Sequence, residues 1–483
     1  MKVKNILNPL GIILMAFGFL ILIPIATALL YNDYYSIIPF VFAATLSLIL
    51  GLVARWYGRF SKNIDSLSKR EGLLIVSSAW LFCSLVGAVP YLFYGLHPVD
   101  AFFESASGIT TTGATILTDF SMYPKAFFFW RSLTQWLGGM GIIVLFIAIL
   151  PQFAVAGRQM FFAEAPGPTE EKITPRIKHT AKALWLVYLL LTLLEAAALS
   201  IAGMPIFDAV CNSLTTLAAG GFSPHPLSIM GYQNSAATWI IIVFMFLAGS
   251  NFALQYRLII KGKPGPLFNN EEFRVYSVII FFLAVFLVLF LIQDNTYDVS
   301  SSIRDSAFQI ISILTTTGFS STDFALWSVP AQTFLFIAML VGGCAGSAGG
   351  GVKVVRISFL FKYLRRETVQ AIHPKAVLPL KIGKAIVSTE IQGQILGFLF
   401  FYLTIILLSS IAVTLIEGNS SVGLVGTLAT IGNIGPGFGE IGPMGTFGGL
   451  SPLTKLIFIC NMIVGRLELI PFLVMLHPDF WKK

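Results

Sequence analysis

The chain has 483 residues, of which 56% are hydrophobic and only 11% charged, and its mean hydropathy is +0.83. Soluble domains carry about a quarter charged residues, so a water-soluble globule is excluded. The net charge of +8 is spread over many short loops, so it offers no single basic face for a nucleic acid.

Apolar runs long enough to cross the hydrocarbon core, about 20 residues, follow one another along the chain. Pro9–Tyr31 and Ile37–Tyr57 predict an N-terminal hairpin (residues 1–70), with Arg59, Lys62, Lys69 and Arg70 after it. The first run is long for the apolar part of a signal peptide and lacks a small-residue cleavage site, so it reads as a retained helix. A unit then recurs four times: helix out, short polar dip, helix back. Its members are 71–160 (Leu73–Gly95, Ala101–Thr112, Ala126–Leu150), 161–265 (Ala183–Ala202, Phe207–Gly220, Ala236–Ile260), 266–370 (Val275–Ile292, Ile303–Thr317, Ala331–Phe361) and 371–483 (Ile391–Ile416, Ser421–Ile434, Pro452–Leu476). The fold class expected is an all-α polytopic membrane protein, four pseudo-symmetric repeats around a central pore plus the hairpin. In that topology all but Lys125, Arg131, Arg304, Lys455 and Arg466 of the 31 Lys/Arg face one side, which is therefore the cytoplasm.

The dips are too short to span. Asp100 to Gly113, Asp208 to Gly221 and Asp305 to Gly318 are each thirteen positions apart. Asp is a favoured N-cap, so each dip predicts a short helix entering from outside, begun by its aspartate and followed by an extended stretch. The stretches read Ile-Thr-Thr-Thr-Gly at Ile109–Gly113, Leu-Ala-Ala-Gly-Gly at Leu217–Gly221, Leu-Thr-Thr-Thr-Gly at Leu314–Gly318 and Gly-Asn-Ile-Gly-Pro-Gly-Phe at Gly432–Phe438. Non-helical backbone at membrane depth survives only where protein buries it or it lines a watery cavity. Glycine opens backbone angles closed to other residues, and rings of carbonyl and hydroxyl oxygens replace the water around a cation. Small residues also serve helix packing, but four copies in register favour a filter. Ala218 and Ala219 replace threonines in the second copy, so the ring is not fourfold identical and a less demanding filter follows. In the fourth copy, thirteen residues from the cap-like Asn419 selects Gly432.

Gly342–Gly351 holds six glycines in ten residues, Gly342, Gly343, Gly346, Gly349, Gly350 and Gly351. Each costs a helix about 1 kcal/mol relative to alanine, so the run interrupts the third return helix. It lacks the Lys and Ser/Thr of a phosphate loop; close helix packing is the plainer alternative. Arg466 reads as the only basic residue well inside a span, functional by default; Glu468, two positions on, faces another way on a helix. Glu195 reads either as a proton or ion site or as a packed acid. His225 and the outer acids read as a cation-concentrating mouth or as plain solvated loop charges. Cys83, Cys211, Cys344 and Cys460 show no metal-type spacing, and no catalytic constellation emerges, so no enzyme is expected.

The two Thr-Thr-Thr-Gly strings, Gly-Gly-Phe-Ser, Asn-Ile-Gly-Pro-Gly, the glycine run and Gly-Arg-Leu-Glu resemble those of the Trk/Ktr superfamily of bacterial potassium-uptake membrane subunits, closest to the Trk type, over essentially the whole chain. The resemblance implies uptake of K+ across the bacterial inner membrane by a multi-pass, lipid-embedded homodimer. It places the filter at Thr111, Thr112, Gly113, Ala219, Gly220, Gly221, Thr316, Thr317, Gly318, Asn433, Ile434 and Gly435, choosing Gly435 over Gly432. It makes Gly342–Gly351 an intramembrane gate and puts Arg466 in the pore beneath the filter. It also implies a separate cytosolic, TrkA-like nucleotide-binding subunit, this chain having no nucleotide-binding domain of its own; Lys353, Arg356, Arg365 and Arg366, by their position just after the glycine run, are the coupling residues expected. Channel-like flow, coupling to protons or sodium, and a sodium-preferring or weakly selective variant all stay open at this stage.

Overall fold

The computed structural model describes residues 3–58, 68–141, 177–294, 298–383, 385–469, 472, 474–475 and 477–482. Arg59, Lys62, residues 142–150 of the first expected return helix and the 160/161 repeat boundary lie outside them.

Helices α1 (Val3–Ile21), α2 (Ile23–Leu30) and α3 (Ile37–Gly58) form the N-terminal hairpin. Gly11 and Gly51 let α1 and α3 touch backbone to backbone, since a methyl at Gly11 would lie 2.5 Å from the Gly51 carbonyl oxygen. The first repeat is α4 (Lys69–Gly87), its short continuation α5 (Val89–Phe93), the dip helix α6 (Pro98–Ile109) and α7 (Lys125–Gly139). The second is α8 (Ile177–Ile201), α9 (Ile206–Leu217), α10 (Ser235–Ala248) and α11 (Phe252–Ile259); the third is α12 (Glu271–Gln293), α13 (Val299–Leu314), α14 (Val329–Met339) and α15 (Val354–Ile372). A two-residue hairpin, β1 (Lys381–Ile382) and β2 (Ala385–Ile386), precedes the fourth: α16 (Thr389–Glu417), α17 (Ser420–Ile431) and α18 (Pro452–Arg466).

In every repeat the outward helix packs on its own dip helix: α4 on α6, α8 on α9, α12 on α13, α16 on α17. The return helices also reach across, α7 to α9, α10 to α13 and α18 back to α6. The dip helices thus sit innermost, and their C-terminal halves are buried.

Three expectations need correction. The second return helix is broken: α10 and α11 meet at 110°, because Asn251 takes the Ala253 and Leu254 N–H groups and starts a new helix. Among the described residues, six helices are long and apolar enough to span, seven with that pair counted as one. The last span is also interrupted, with Phe472, Val474 and Met475 helical again beyond the break. Glu468 and Leu469 adopt φ +56°, which no α-helix accommodates.

The third correction concerns caps. Asp100 and Asp208 lie inside the first turn of their helices, where acid favours the dipole, and the N-cap positions are held by His97 and Pro205. Asp305 lies further into α13, which Asp298 caps through the Ser300 and Ser301 N–H groups. Asn419, by contrast, is a true N-cap. It stands sixteen residues before Gly435, as His97 and Pro205 stand before Gly113 and Gly221. The thirteen-residue rule applied to Asn419 therefore measured from the wrong kind of residue.

Candidate functional site: four strings, a glycine loop and a buried arginine

Each dip helix ends one residue before a left-handed turn. Thr110, Ala218, Thr315 and Gly432 are the C-caps, and Thr111, Ala219, Thr316 and Asn433 follow at φ +56°, +53°, +60° and +53°. Two residues on, Gly113, Gly221, Gly318 and Gly435 have φ +81°, +76°, +80° and +101°. Gly432 keeps a right-handed φ of −77°, so Gly435 is the residue in register with the other three.

The four glycines close a ring. A methyl on Gly113 would lie 2.1 Å from the Gly220 carbonyl oxygen, on Gly221 2.0 Å from that of Thr317, on Gly318 2.1 Å from that of Ile434 and on Gly435 2.6 Å from that of Thr112. Each glycine therefore lies against the carbonyl preceding the next glycine, in the order first, second, third, fourth, first. At both positive φ and this distance no side chain fits. All four glycines line one outer cavity, with Thr115, Arg131, Ser223 and His225 among its walls.

Side chains brace the ring. The hydroxyls of Thr110 and Thr112 lie 2.8 Å apart, as do those of Thr315 and Thr317. Asn433 donates from Nδ2 to Thr112 Oγ1 and to the Met462 carbonyl, both at 3.0 Å. The second string, lacking threonine, is held by Gln135 of α7 (Nε2 to the Gly220 carbonyl, 2.7 Å; Phe222 N–H to Oε1, 3.0 Å). Behind the first string Arg131 Nε donates to Glu104 Oε1 at 2.6 Å, and Glu104 also accepts from Thr115 Oγ1 and the Ile116 N–H at 3.1 Å.

Beneath the ring, residues Leu340–Lys353 between α14 and α15 are non-helical. The Gly350 N–H donates to Thr316 Oγ1 at 2.7 Å, and a methyl on Gly349 or Gly350 would strike the Thr315 or Gly432 carbonyl. The loop's flank is stitched to the α10–α11 break: Cys344 N–H to the Gly249 carbonyl, Phe252 N–H to that of Gly346 and Asn251 Nδ2 to that of Ala345, at 2.9, 3.1 and 2.8 Å. Arg466, at the end of α18, reaches the loop from the other side. Its Nη1 donates to the Ala348 carbonyl at 2.9 Å, and its Nη2 to those of Gly138 and Gly139 at 2.6 and 2.9 Å. The last two terminate α7, and carbonyls at a helix C-terminus attract a cation.

Several residues stand elsewhere than the sequence suggested. Arg466 has buried basic company elsewhere in the protein: Arg131 and Lys455 are 2% and 5% exposed. The outer acids are not a bare ring of solvated charges: Glu104 pairs with Arg131, Asp100 with Lys455 and Asp305 with Arg304. Lys353 and Arg356 are buried and both pair with Glu468, Lys353 at 2.5 Å, so they offer no docking surface. Arg365 is exposed, and Arg366 bonds Gln392 Oε1 at 3.0 Å. Glu195 is fully buried, on α8. Sequence reasoning missed Gln135 and the Glu104–Arg131 pair; an arginine within the aromatic run Phe-Phe-Phe-Trp-Arg was the available signal.

Known proteins resemble the chain throughout. The family model for TrkH, described as a cation transport protein, matches residues 39–483. The Trk system potassium uptake protein TrkH of Salmonella typhimurium is 38% identical over 488 residues, covering 100% of both chains. TrkG of Escherichia coli is 31% identical over 99% of each. The crystal structure of the potassium transporter TrkH from Vibrio parahaemolyticus superposes with a TM-score of 0.91 at 35% identity, again over 100% of both chains. The chain belongs to the TrkH family of cation transport proteins, multi-pass proteins of the bacterial inner membrane that transport rather than catalyse.

Proposed function

We propose that this protein takes up potassium through a filter formed by Thr111–Gly113, Ala219–Gly221, Thr316–Gly318 and Asn433–Gly435. The observation that carries the reading is the closed ring, in which every glycine lies against the carbonyl before its neighbour's glycine. Twelve residues of repeated backbone geometry around one cavity supply stacked oxygens of the kind that replace a hydration shell. The names of the relatives, potassium uptake proteins of Trk systems, agree with this chemistry. The missing hydroxyls at Ala218 and Ala219 favour a filter less strict than a fourfold-identical one.

Gly342–Gly351 acts as the gate, with Gly350 bonded to a filter threonine and Arg466 tying the loop to the end of α7. Arg466 places a positive charge beneath the filter, raising the barrier to a cation. Two copies form the working unit, and a cytosolic nucleotide-binding subunit docks on the basic cytoplasmic face, where Lys362, Arg365 and Arg366 of α15 stand beside the β1–β2 hairpin.

The test is entry of rubidium and sodium into liposomes holding the purified protein, with Gly318→Ser alongside. Preferential rubidium entry that the substitution erodes supports the filter. Equal sodium entry, unchanged by the substitution, makes the strings packing elements.

A further inference from the structure

Resting on the filter reading above, we infer that Gln135, outside all four strings, is a specificity-determining residue: it supplies from α7 the bracing that the hydroxyl-free second string lacks.

The amide of Gln135 spans Gly221. Its Nε2 donates to the carbonyl on one side, that of Gly220, and its Oε1 accepts from the N–H on the other, that of Phe222. A carbonyl opposite one end and an N–H opposite the other fix the amide's orientation. The side chain is fully buried, so no water competes. Gly220 is shaped to it, because a methyl there would lie 2.5 Å from Gln135 Cδ and Oε1. Gly220 in turn contributes the carbonyl against which Gly113 rests. Gln135 therefore fixes one of the four contacts that close the ring.

The repeats show what is unusual here. Gly138 of α7 and Gly465 of α18 occupy matching sites, each against the carbonyl of the last residue of its own dip helix, Ile109 and Ile431. Gly139 and Gly249 match likewise, each against the C-cap of the next string, Ala218 or Thr315, and 2.6 Å from a tyrosine hydroxyl, Tyr188 or Tyr276. Counting back along each helix, Gln135 corresponds to Met462 in the fourth repeat and to Met245 in the second. Both methionines are fully buried. The helices that carry them lie against α6 and α13, whose strings have paired threonine hydroxyls of their own. The fourth string has Asn433. The string with no hydroxyl or amide at these positions faces a glutamine, whereas the first and third face a buried methionine of similar length. Selectivity depends on how firmly oxygen positions are held, so the glutamine bears on ion choice as well as on folding.

Liposomes containing the full chain, with rubidium and sodium entry measured side by side, test this with Gln135→Met, which installs what the second and fourth repeats have. Loss of the bond to Gly220 is expected to lower the rubidium-to-sodium ratio about fivefold, the worth of one net hydrogen bond, at unchanged yield of inserted protein. Gln135→Glu keeps the acceptor for Phe222 and loses the donor to Gly220, so it lowers the ratio too and serves if the methionine variant does not fold. Gly220→Ala combined with Gln135→Ala is expected to be no worse than Gly220→Ala alone, since the two residues act on one contact. A ratio that holds while both fluxes fall together overturns the inference, leaving Gln135 as packing. Gly318→Ser separates the two levels. If it erodes the ratio and neither Gln135 variant does, Gln135 has no such role and the filter stands; if it too leaves the ratio intact, the filter reading itself falls.

Discussion

The ring of strings and the loop beneath it are both rich in glycine, yet they use it in opposite ways. In the ring each glycine has positive φ and is wedged against a neighbouring repeat's carbonyl, so freedom is spent on one fixed shape. In the loop, Gly342, Gly346 and Gly351 also have positive φ, but Gly346 is exposed and the segment is held by separate hydrogen bonds to α10, α11, the third string and α18. Each such bond is worth about 1 kcal/mol net, so each can be released singly. In the proposed reading, a rigid upper tier selects the ion and a detachable lower one gates it.

The largest expected effect comes from breaking the loop's far anchor. Glu468→Gln leaves Lys353 and Arg356 buried without their shared carboxylate, a loss of about 3–5 kcal/mol. Thermal unfolding in detergent should show a clearly lowered midpoint, and an unchanged one would mean the cluster contributes nothing. In the ring, Gly113→Ala demands a positive φ and a 2.1 Å approach to the Gly220 oxygen. Strain of about 2 kcal/mol or more should reduce rubidium entry at least tenfold. Arg466→Gln weakens three carbonyl contacts and removes the charge beneath the filter. Unregulated cation flux should rise, about tenfold if roughly 1.4 kcal/mol of barrier is lost, with the rubidium-to-sodium ratio kept. A changed ratio would show that the two tiers are not separate.

The smallest effect lies at the rim. The Ser301 hydroxyl, then the Ser301 and Ser300 N–H groups, hold the carboxyl of Asp298 below its ordinary value of 3.8. A depressed folded-state value stabilises above the unfolded one, so the cap is fully effective at neutral pH and is lost as pH falls through the lowered value. Asp298→Asn keeps an acceptor and should barely change stability at neutral pH while removing that acid sensitivity, read by unfolding at several pH values.

Much of this was legible in the sequence. Threonine and glycine strings between apolar runs announced four dips, and the six glycines of Gly342–Gly351 announced a break in a helix. What hydropathy could not carry was the geometry imposed by distant partners. The bend at Gly249–Asn251 arises from a capping asparagine within an apolar run, and α18 ends where Glu468 turns to face Lys353 and Arg356. Asp100 and Asp305 read as caps because caps are a local habit of aspartate; their ion pairs with Lys455 and Arg304 depend on packing. Gln135 was invisible for the same reason. Its partners lie 85 and 87 residues away, and only the folded ring reveals that the second string needs a brace.

The central claim is that the ring of backbone oxygens is the cation site. The most direct measurement is anomalous diffraction from crystals of the protein grown in rubidium. The account predicts density on the ring's axis, level with the carbonyls of Thr112, Gly220, Thr317 and Ile434, and its loss in Gly318→Ser. Rubidium density absent there, or unchanged by the substitution, would contradict it.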